Sequence, residues 1–210
     1  MHKVKTTLQY DAGRIVAQAL MDALGAKDAL TRSHSERLEK LLVNVAQAME
    51  LPQLNVPRLK LLARYHDIGK IGIPPEILLK PGPLDPGERA RIELHCRIGQ
   101  QIALLVPELS SIADLILTHH EWWNGMGYPL HLVGDQIPVE CRLLGILDAF
   151  DAMTNDRPYR KAMPPEQALA ELQRFAGIQF DPDLVTQFIF IWRGSLGSHG
   201  SGWYNSRSSS

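Results

Sequence analysis

Several features that would assign this chain to other classes of protein are scarce in its sequence. It has two cysteines in 210 residues, Cys96 and Cys141, which is too few for a disulfide framework. No apolar run reaches the ~18 residues that a membrane span needs, and no signal peptide is recognisable at the N-terminus. The 22 basic and 23 acidic residues leave a net charge of −1, which gives no positive field to attract duplex DNA or RNA. We therefore expect a cytoplasmic protein that binds neither membranes nor duplex nucleic acid.

What the chain does contain is typical of one helical domain. Hydrophobic residues make up 45% and charged residues 21%, so a single core is expected. Apolar residues recur at helical spacing along most of the chain, while sustained alternation of the strand type is absent. The sequence therefore predicts an all-α fold.

Local signals indicate where the helices begin and where loops interrupt them. Ser33 or Ser35 can cap the second helix, Pro57 suits a first turn, and Asp85 with Pro86 opens a long helix to about residue 105. Further helices are expected at about 108–119, 138–154, 165–176 and 182–192. Glycines and prolines between residues 122 and 138 predict a structured loop. The predicted organisation is an N-terminal helical region over 1–22, a domain over 23–193 and a disordered Gly/Ser-rich tail over 194–210.

Histidines in apolar surroundings are the strongest chemical signal. Five of the 8 histidines fall within or at the ends of predicted helices: His34, His66, His95, His119 and His120. One such histidine alone is more often a hydrogen-bonded core residue than a metal ligand. Burying several of them beside Asp67 and Asp148 costs several kcal/mol unless a cation or hydrogen bonds compensate. A metal site explains all of them together.

These seven donors also suggest a type of metal and a reaction. With Asp67 as a bridge, they suit two six-coordinate ions that keep open positions, and the lack of thiolate favours Mn, Fe, Ni, Co or Zn. We interpret Cys96 and Cys141 as buried thiols, and Asp151 as a supporting residue rather than a ligand. Two close metals imply a bridging water that is deprotonated near neutral pH and attacks phosphorus in line. The expected reaction is hydrolysis of a phosphoester.

Five strings of the sequence resemble the HD-GYP family, a branch of the HD-domain metal-dependent phosphohydrolases. They are TRSHSER at 31–37, HDIGKIGIPPEILLKPGPL at 66–84, HCRIG at 95–99, HHEWWNGMGYP at 119–129 and LDAFDAMTNDRPYRKA at 147–162. The resemblance runs from about residue 23 to residue 192. It implies an HD-domain-like helical bundle with the signature loop between two helices.

The resemblance also implies a role for each matching residue. The metal ligands would be His34, His66, Asp67, His95, His119, His120 and Asp148. Asp67 and Lys70 would be catalytic, with Lys70 on the scissile phosphate or assisting the leaving group. Substrate would be bound by Lys70, Tyr128, Arg157 and Arg160, and the signature loop is formed by Gly127, Tyr128 and Pro129. Trp122 and Trp123 either stack on guanine or anchor the loop.

The implied activity is hydrolysis of cyclic di-GMP to linear pGpG and on to GMP, with two divalent metal ions as cofactors. Fe or Mn is favoured among the metals. Two alternatives remain open: a non-catalytic cyclic di-GMP sensor or interaction module that docks a cyclase through the loop, and hydrolysis of another cyclic dinucleotide. A diguanylate cyclase of the GGDEF type, or a sensory or receiver domain, is the implied partner. The first helix is compatible with a homodimer.

Three positions depart from the family pattern. Leu30 stands where some relatives have a glutamate that completes a third metal site, which favours two metals here. His131 replaces a glycine, which costs free energy if that position has a positive φ. Asn124 replaces a common aspartate and keeps its preference for turns.

Overall fold

A computed structural model of the chain describes residues 2–51, 54–156 and 161–198, with the side chains at 2–12, 29–32 and 195–198 left out. Its α-helices are α1 (His2–Lys27), α2 (Ala29–Ala48), α3 (Val56–Tyr65), α4 (Pro75–Leu78), α5 (Pro86–Glu93), α6 (His95–Leu105), α7 (Ala113–Thr118), α8 (Val139–Thr154), α9 (Pro165–Arg174) and α10 (Pro182–Ser198). Short 3-10 helices span Ile68–Gly72, Ser110–Ile112 and Gly134–Gln136. Because the described residues contain no strand, the all-α prediction is confirmed.

The core lies where the apolar faces of the helices meet. Helix α2 is central and packs against α1, α3, α8 and α10. Its residues Leu38, Leu41, Leu42 and Val45 recur at helical spacing and are at most 1% exposed. Aromatic rings join the C-terminal helices to this core, since the Phe150 ring of α8 lies 4.6 Å from that of Trp192 of α10.

Some predicted helix ends are confirmed. The Asn55 side chain accepts a hydrogen bond from the Arg58 N–H at the start of α3, with Pro57 in the first turn. Asp85 opens α5 through a reciprocal capping box with Glu88. A predicted loop also holds, because residues 122–138 contain one short 3-10 turn and no α-helix.

Other predicted ends are wrong. Ser33 and Ser35 do not cap α2, which begins at Ala29 because no helix breaker lies between that residue and Ser33. The long helix predicted from Pro86 to residue 105 is interrupted at Leu94. Next to this break the His95 ring nitrogen Nδ1 donates a hydrogen bond to the Ile92 carbonyl oxygen at 2.7 Å. That bond competes for a helical acceptor and leaves His95 at the first position of α6.

The remaining segments differ from the prediction in length. Residues 108–119 form a 3-10 turn followed by the short helix α7 rather than one continuous helix. Helix α10 continues through Ser198, into the segment predicted to be disordered, and residues 199–210 lie outside the described chain. No described helix combines the length and the apolar character that a membrane span requires.

Candidate metal centre

The fold brings the seven predicted donors together from five parts of the chain. His34 lies on α2, His66 and Asp67 follow α3, His95 begins α6, His119 and His120 follow α7, and Asp148 lies on α8. They form two groups, Asp67 with His95, His119 and His120, and His34 with His66 and Asp148. Within each group the potential ligand atoms all lie within 4.8 Å of one another.

Three of the histidines are oriented by carbonyl groups at the end of the helix that precedes each of them. The Nδ1 atoms of His66, His95 and His119 lie 3.0, 2.7 and 2.7 Å from the carbonyl oxygens three residues earlier. A carbonyl oxygen only accepts, so each Nδ1 carries the proton and donates it. In the neutral ring Nε2 then bears a lone pair, which is the arrangement typical of metal-binding histidines.

These lone pairs point at one another with no proton between them. His95 Nε2 lies 3.4 Å from His119 Nε2 and 3.5 Å from Asp67 Oδ1. Asp67 Oδ1 is buried and has no hydrogen-bond partner. The Cys96 thiol lies 3.6 Å from His95 Nε2 but is a weak donor. Buried acceptors facing one another are costly unless a cation satisfies them, so this donor set fits a divalent metal ion.

Asp67 lies between the two groups. Its Oδ2 is 3.3 Å from His66 Nε2, and its Oδ1 faces His95 in the other group. Lys70 Nζ donates to Oδ2 at 2.6 Å. Burial alone would raise the pKa of Asp67, but the Lys70 ammonium and the His66 imidazole hold that pKa well below its usual range. The carboxylate is therefore charged at neutral pH and presents one oxygen to each group.

His34 is held by two carboxylates. Its Nε2 lies 2.9 Å from Asp148 Oδ1 and its Nδ1 lies 2.7 Å from Asp151 Oδ2. Burial lowers the pKa of His34, but its hydrogen bonds to both aspartates outweigh burial and raise the pKa to about 9. Asp151 is 1% exposed and also accepts two hydrogen bonds from Arg37, at 2.9 Å each. Asp151 therefore orients His34 through Nδ1, the ring nitrogen that does not face Asp148. This agrees with the prediction that Asp151 is a supporting residue.

Two of the other histidines, His119 and His120, are neutral at physiological pH. Burial, and then the neighbouring imidazoles, lower the pKa of His119 well below its usual value. Burial and His95 lower the pKa of His120 to about 3. Metals bind the neutral imidazole, so these rings need not release a proton to become ligands.

We expect the metal-depleted protein to be most stable near pH 6.5. As the pH falls below ~6.5, His119 and His120 become protonated in the unfolded chain but stay neutral in the folded protein. The free energy of unfolding therefore falls toward pH 3. Above ~6.5 the contribution of His34 is lost as the pH rises through about 9. Urea unfolding of the chelator-treated protein from pH 4 to 9 measures this curve. A free energy that stays flat between pH 4 and 6.5 would contradict it.

The loop that follows α7 covers the imidazoles. The Tyr128 ring lies 5.0 Å from the His120 ring and 6.5 Å from that of His95. A Cβ added at Gly127 would lie 2.2 Å from the Trp122 nitrogen, so this position requires glycine. His131 has a φ of +57°, so the replacement of glycine there places a side chain in the left-handed region. Asn124 accepts from the Met126 N–H at 3.0 Å, as its turn preference predicts.

The sequence analysis missed Glu121, which fixes this loop. Its buried carboxylate accepts from the Leu130 N–H at 2.6 Å and the Leu132 N–H at 3.0 Å. We expect Glu121→Ala to lower the free energy of unfolding by about 1 to 3 kcal/mol, because two backbone donors lose their acceptor. Thermal unfolding measures the change. Glu121→Gln keeps one acceptor oxygen, so its free energy of unfolding should lie between those of the wild type and of Glu121→Ala. A Glu121→Ala protein as stable as the wild type would contradict this account.

Lys27 is a second residue that the sequence analysis did not identify. Its ammonium donates to the carbonyls of Ile71, at 3.0 Å, and of Ile73, both near the end of the 3-10 helix that carries Lys70. A cation at such an end satisfies carbonyls that have no helical partner. A lone lysine at the end of α1 gives no sequence signal for this role, because its acceptors lie more than 40 residues away.

The remaining predicted residues have varied positions. Trp122 and Trp123 line a cavity beside the centre. Arg157, Arg160 and the side chain of Leu30 lie outside the described residues. Cys96 and Cys141 are buried free thiols, and burial raises the pKa of both.

Comparison with known proteins assigns this site to a family. A family model described as the HD domain matches residues 18–184. A cyclic di-GMP phosphodiesterase of Thermotoga maritima is 39% identical over 165 residues, which cover 78% of this chain and 45% of that protein. A 3'3'-cGAMP-specific phosphodiesterase 2 of Vibrio cholerae is 35% identical over 175 residues, covering 82% and 34%. The chain thus spans less than half the length of these curated relatives.

Solved structures agree on the fold. The HD domain of the L. monocytogenes phosphodiesterase PgpH, crystallised with cyclic-di-AMP, superposes with a TM-score of 0.60 at 20% identity, covering 89% of this chain and 100% of that one. The chain belongs to the HD-domain family, and its likeness to the curated relatives confirms the predicted HD-GYP membership.

Proposed function

We propose that this chain is a metal-dependent phosphodiesterase that hydrolyses cyclic di-GMP to linear pGpG and on to GMP. The observation that carries the proposal is the set of buried acceptors on Asp67, His95 and His119, which face one another without a proton. Such a set is unfavourable in the folded protein unless it binds cations.

Two divalent ions, Fe or Mn in the first place, are the proposed cofactors. Asp67, His95, His119 and His120 would hold one ion, and His34, His66 and Asp148 the other. Asp67 would contribute to both, since each of its oxygens faces a different group. Divalent metals bound in this way supply Lewis-acid polarisation of a phosphoryl oxygen and activation of water near neutral pH.

The chain's own residues would bind and orient the substrate. Lys70 remains charged because the attraction of Asp67 outweighs burial and raises its pKa. Its ammonium is a point charge beside the ligands, which suits it to hold the scissile phosphate or stabilise the leaving oxygen. Arg157 and Arg160 are proposed from the resemblance to hold substrate phosphate.

The proposal is tested with the purified chain loaded with Mn or Fe under reducing conditions. Nucleotides are separated by chromatography after incubation with cyclic di-GMP, and linear pGpG is expected to appear. Metal analysis of the same sample is expected to give two ions per chain. No turnover by a sample that contains both ions would overturn the proposed activity.

A second candidate is hydrolysis of another cyclic dinucleotide. It is supported by the Vibrio cholerae relative specific for 3'3'-cGAMP and by the PgpH structure with cyclic-di-AMP. Rates on cyclic di-GMP, 3'3'-cGAMP and cyclic di-AMP under identical conditions separate the candidates. We expect cyclic di-GMP to have the highest kcat/KM, and a higher value for either alternative would reassign the substrate.

A further inference from the structure

A cavity of about 210 Å³ opens beside the metal centre and has no role in the site described so far. Its lining includes His120 and Asp148 at one end, and Trp122, Trp123 and Gln179 further away. This volume is large enough to admit one flat heterocycle.

Helix α8 forms one wall of this cavity, and Gly145 lies in the middle of that wall. A glycine inside a helix costs about 1 kcal/mol relative to alanine. Many such glycines allow a close backbone contact, but a Cβ added at Gly145 would meet no atom within 4 Å. Packing therefore does not require this glycine, and what the missing side chain provides is space in the cavity.

The rest of the lining offers aromatic surface. Trp122 and Trp123 present indole rings, on which a base can stack. The Arg142 guanidinium lies 5.6 Å from the centre of the Trp123 ring and donates through one terminal nitrogen to Asp135 and Asp181. Its Nε is buried and has no hydrogen-bond partner.

We infer that this cavity binds one purine base of the cyclic dinucleotide whose phosphate lies at the metal centre. Gly145 and Asp148 are three residues apart on α8, a rise of about 4.5 Å, so the cavity begins close to the ligands. A base is separated from its phosphate by one ribose, which matches this proximity. The inference rests on the proposed function for its substrate class, and it assigns Gly145 as a specificity-determining position.

Two substitutions test the role of this space. Gly145→Leu fills the cavity with a residue that favours helix, so the variant is expected to fold. Gly194→Leu is the matched control, because Gly194 is also helical, meets no atom within 4 Å of an added Cβ, and does not line the cavity. Guanosine 5'-monophosphate and ribose 5-phosphate are the ligands, since they share ribose and phosphate and differ only in the base.

Calorimetric titration of the Mn-loaded proteins measures the contribution of the base. In the wild type and in Gly194→Leu, guanosine 5'-monophosphate should bind at least about tenfold more tightly than ribose 5-phosphate. In Gly145→Leu the two should bind within about threefold of each other. Equal binding of the two ligands by the wild type, or a base preference that survives in Gly145→Leu, would overturn the inference.

Turnover separates this inference from the proposed function. Gly145→Leu should hydrolyse cyclic di-GMP with kcat/KM at least about tenfold below wild type, yet hydrolyse bis(p-nitrophenyl) phosphate, which has no base, within about threefold. Loss of both activities with the metal content unchanged would count against the base site. If the wild type leaves every cyclic dinucleotide intact but binds guanosine 5'-monophosphate through its base, the proposed function fails and the base site stands.

Discussion

Replacing Asp67 by asparagine is expected to remove bound metal and to lower phosphodiester hydrolysis by about a thousandfold or more. The carboxylate presents one oxygen toward His66 and the other toward His95, so a neutral amide weakens both halves of the proposed centre. The amide group would also place a hydrogen-bond donor, its N–H, beside atoms that are proposed to bind cations. Metal stoichiometry after gel filtration, together with kcat/KM, measures the effect.

The control for this variant is Asp114→Asn. Asp114 is exposed on α7, the helix that ends next to His119, and it accepts a hydrogen bond from Gln100 that asparagine can also accept. This variant should keep both metals and full activity. An Asp67→Asn protein that retains two tightly bound ions and near-normal turnover would contradict the bridging role.

A second large effect is expected from adding one methyl group at Gly69. A Cβ there would lie 1.9 Å from the His95 carbonyl oxygen and 2.5 Å from the Gly99 nitrogen, both of which are backbone atoms of α6. Backbone cannot move aside as a side chain can, so the 3-10 helix behind Asp67 must separate from α6. We expect Gly69→Ala to lower the free energy of unfolding by about 3 kcal/mol or more. Urea unfolding of the metal-depleted protein measures this loss.

Gly72→Ala is the matched control, because Gly72 belongs to the same 3-10 helix but the three atoms nearest to an added Cβ all belong to the Ile98 side chain, the first at 3.1 Å. That side chain can adjust, so the free energy of unfolding should change by less than about 1 kcal/mol. Metal affinity should fall in Gly69→Ala, since Asp67 moves away from His95, and should stay unchanged in Gly72→Ala. Equal stability of the two variants would show that the close approach is not required.

The identity of the donors could be predicted from the sequence, but their grouping could not. Histidines and aspartates in apolar surroundings need partners wherever the chain folds, so His66, His95 and Asp148 stand out from their neighbours alone. Which of them become neighbours depends on the packing of α2, α6 and α8. The sequence also could not predict which nitrogen of each ring carries the proton, because a carbonyl oxygen at the end of a folded helix determines this.

Among the helix ends, too, some could be predicted from the sequence and others could not. The Asp85 and Glu88 pair is local, since both side chains bond backbone within three residues, and the sequence predicted that start correctly. The break at Leu94 was not predicted, because it accompanies the turn of the His95 ring toward the centre. A pattern of apolar residues continues through such a break without any change of period.

The sequence by itself determined the helical fold, the HD-GYP signature and the chemical type of the seven donors, since each depends on residue type and short spacing. Tertiary structure alone decided which histidines lie on each side of Asp67, that Lys27 holds carbonyls more than 40 residues away, and that Gly145 opens a cavity. These features depend on which helices become neighbours. That choice follows from burying the apolar faces of all the helices at once, and no local window of sequence contains it.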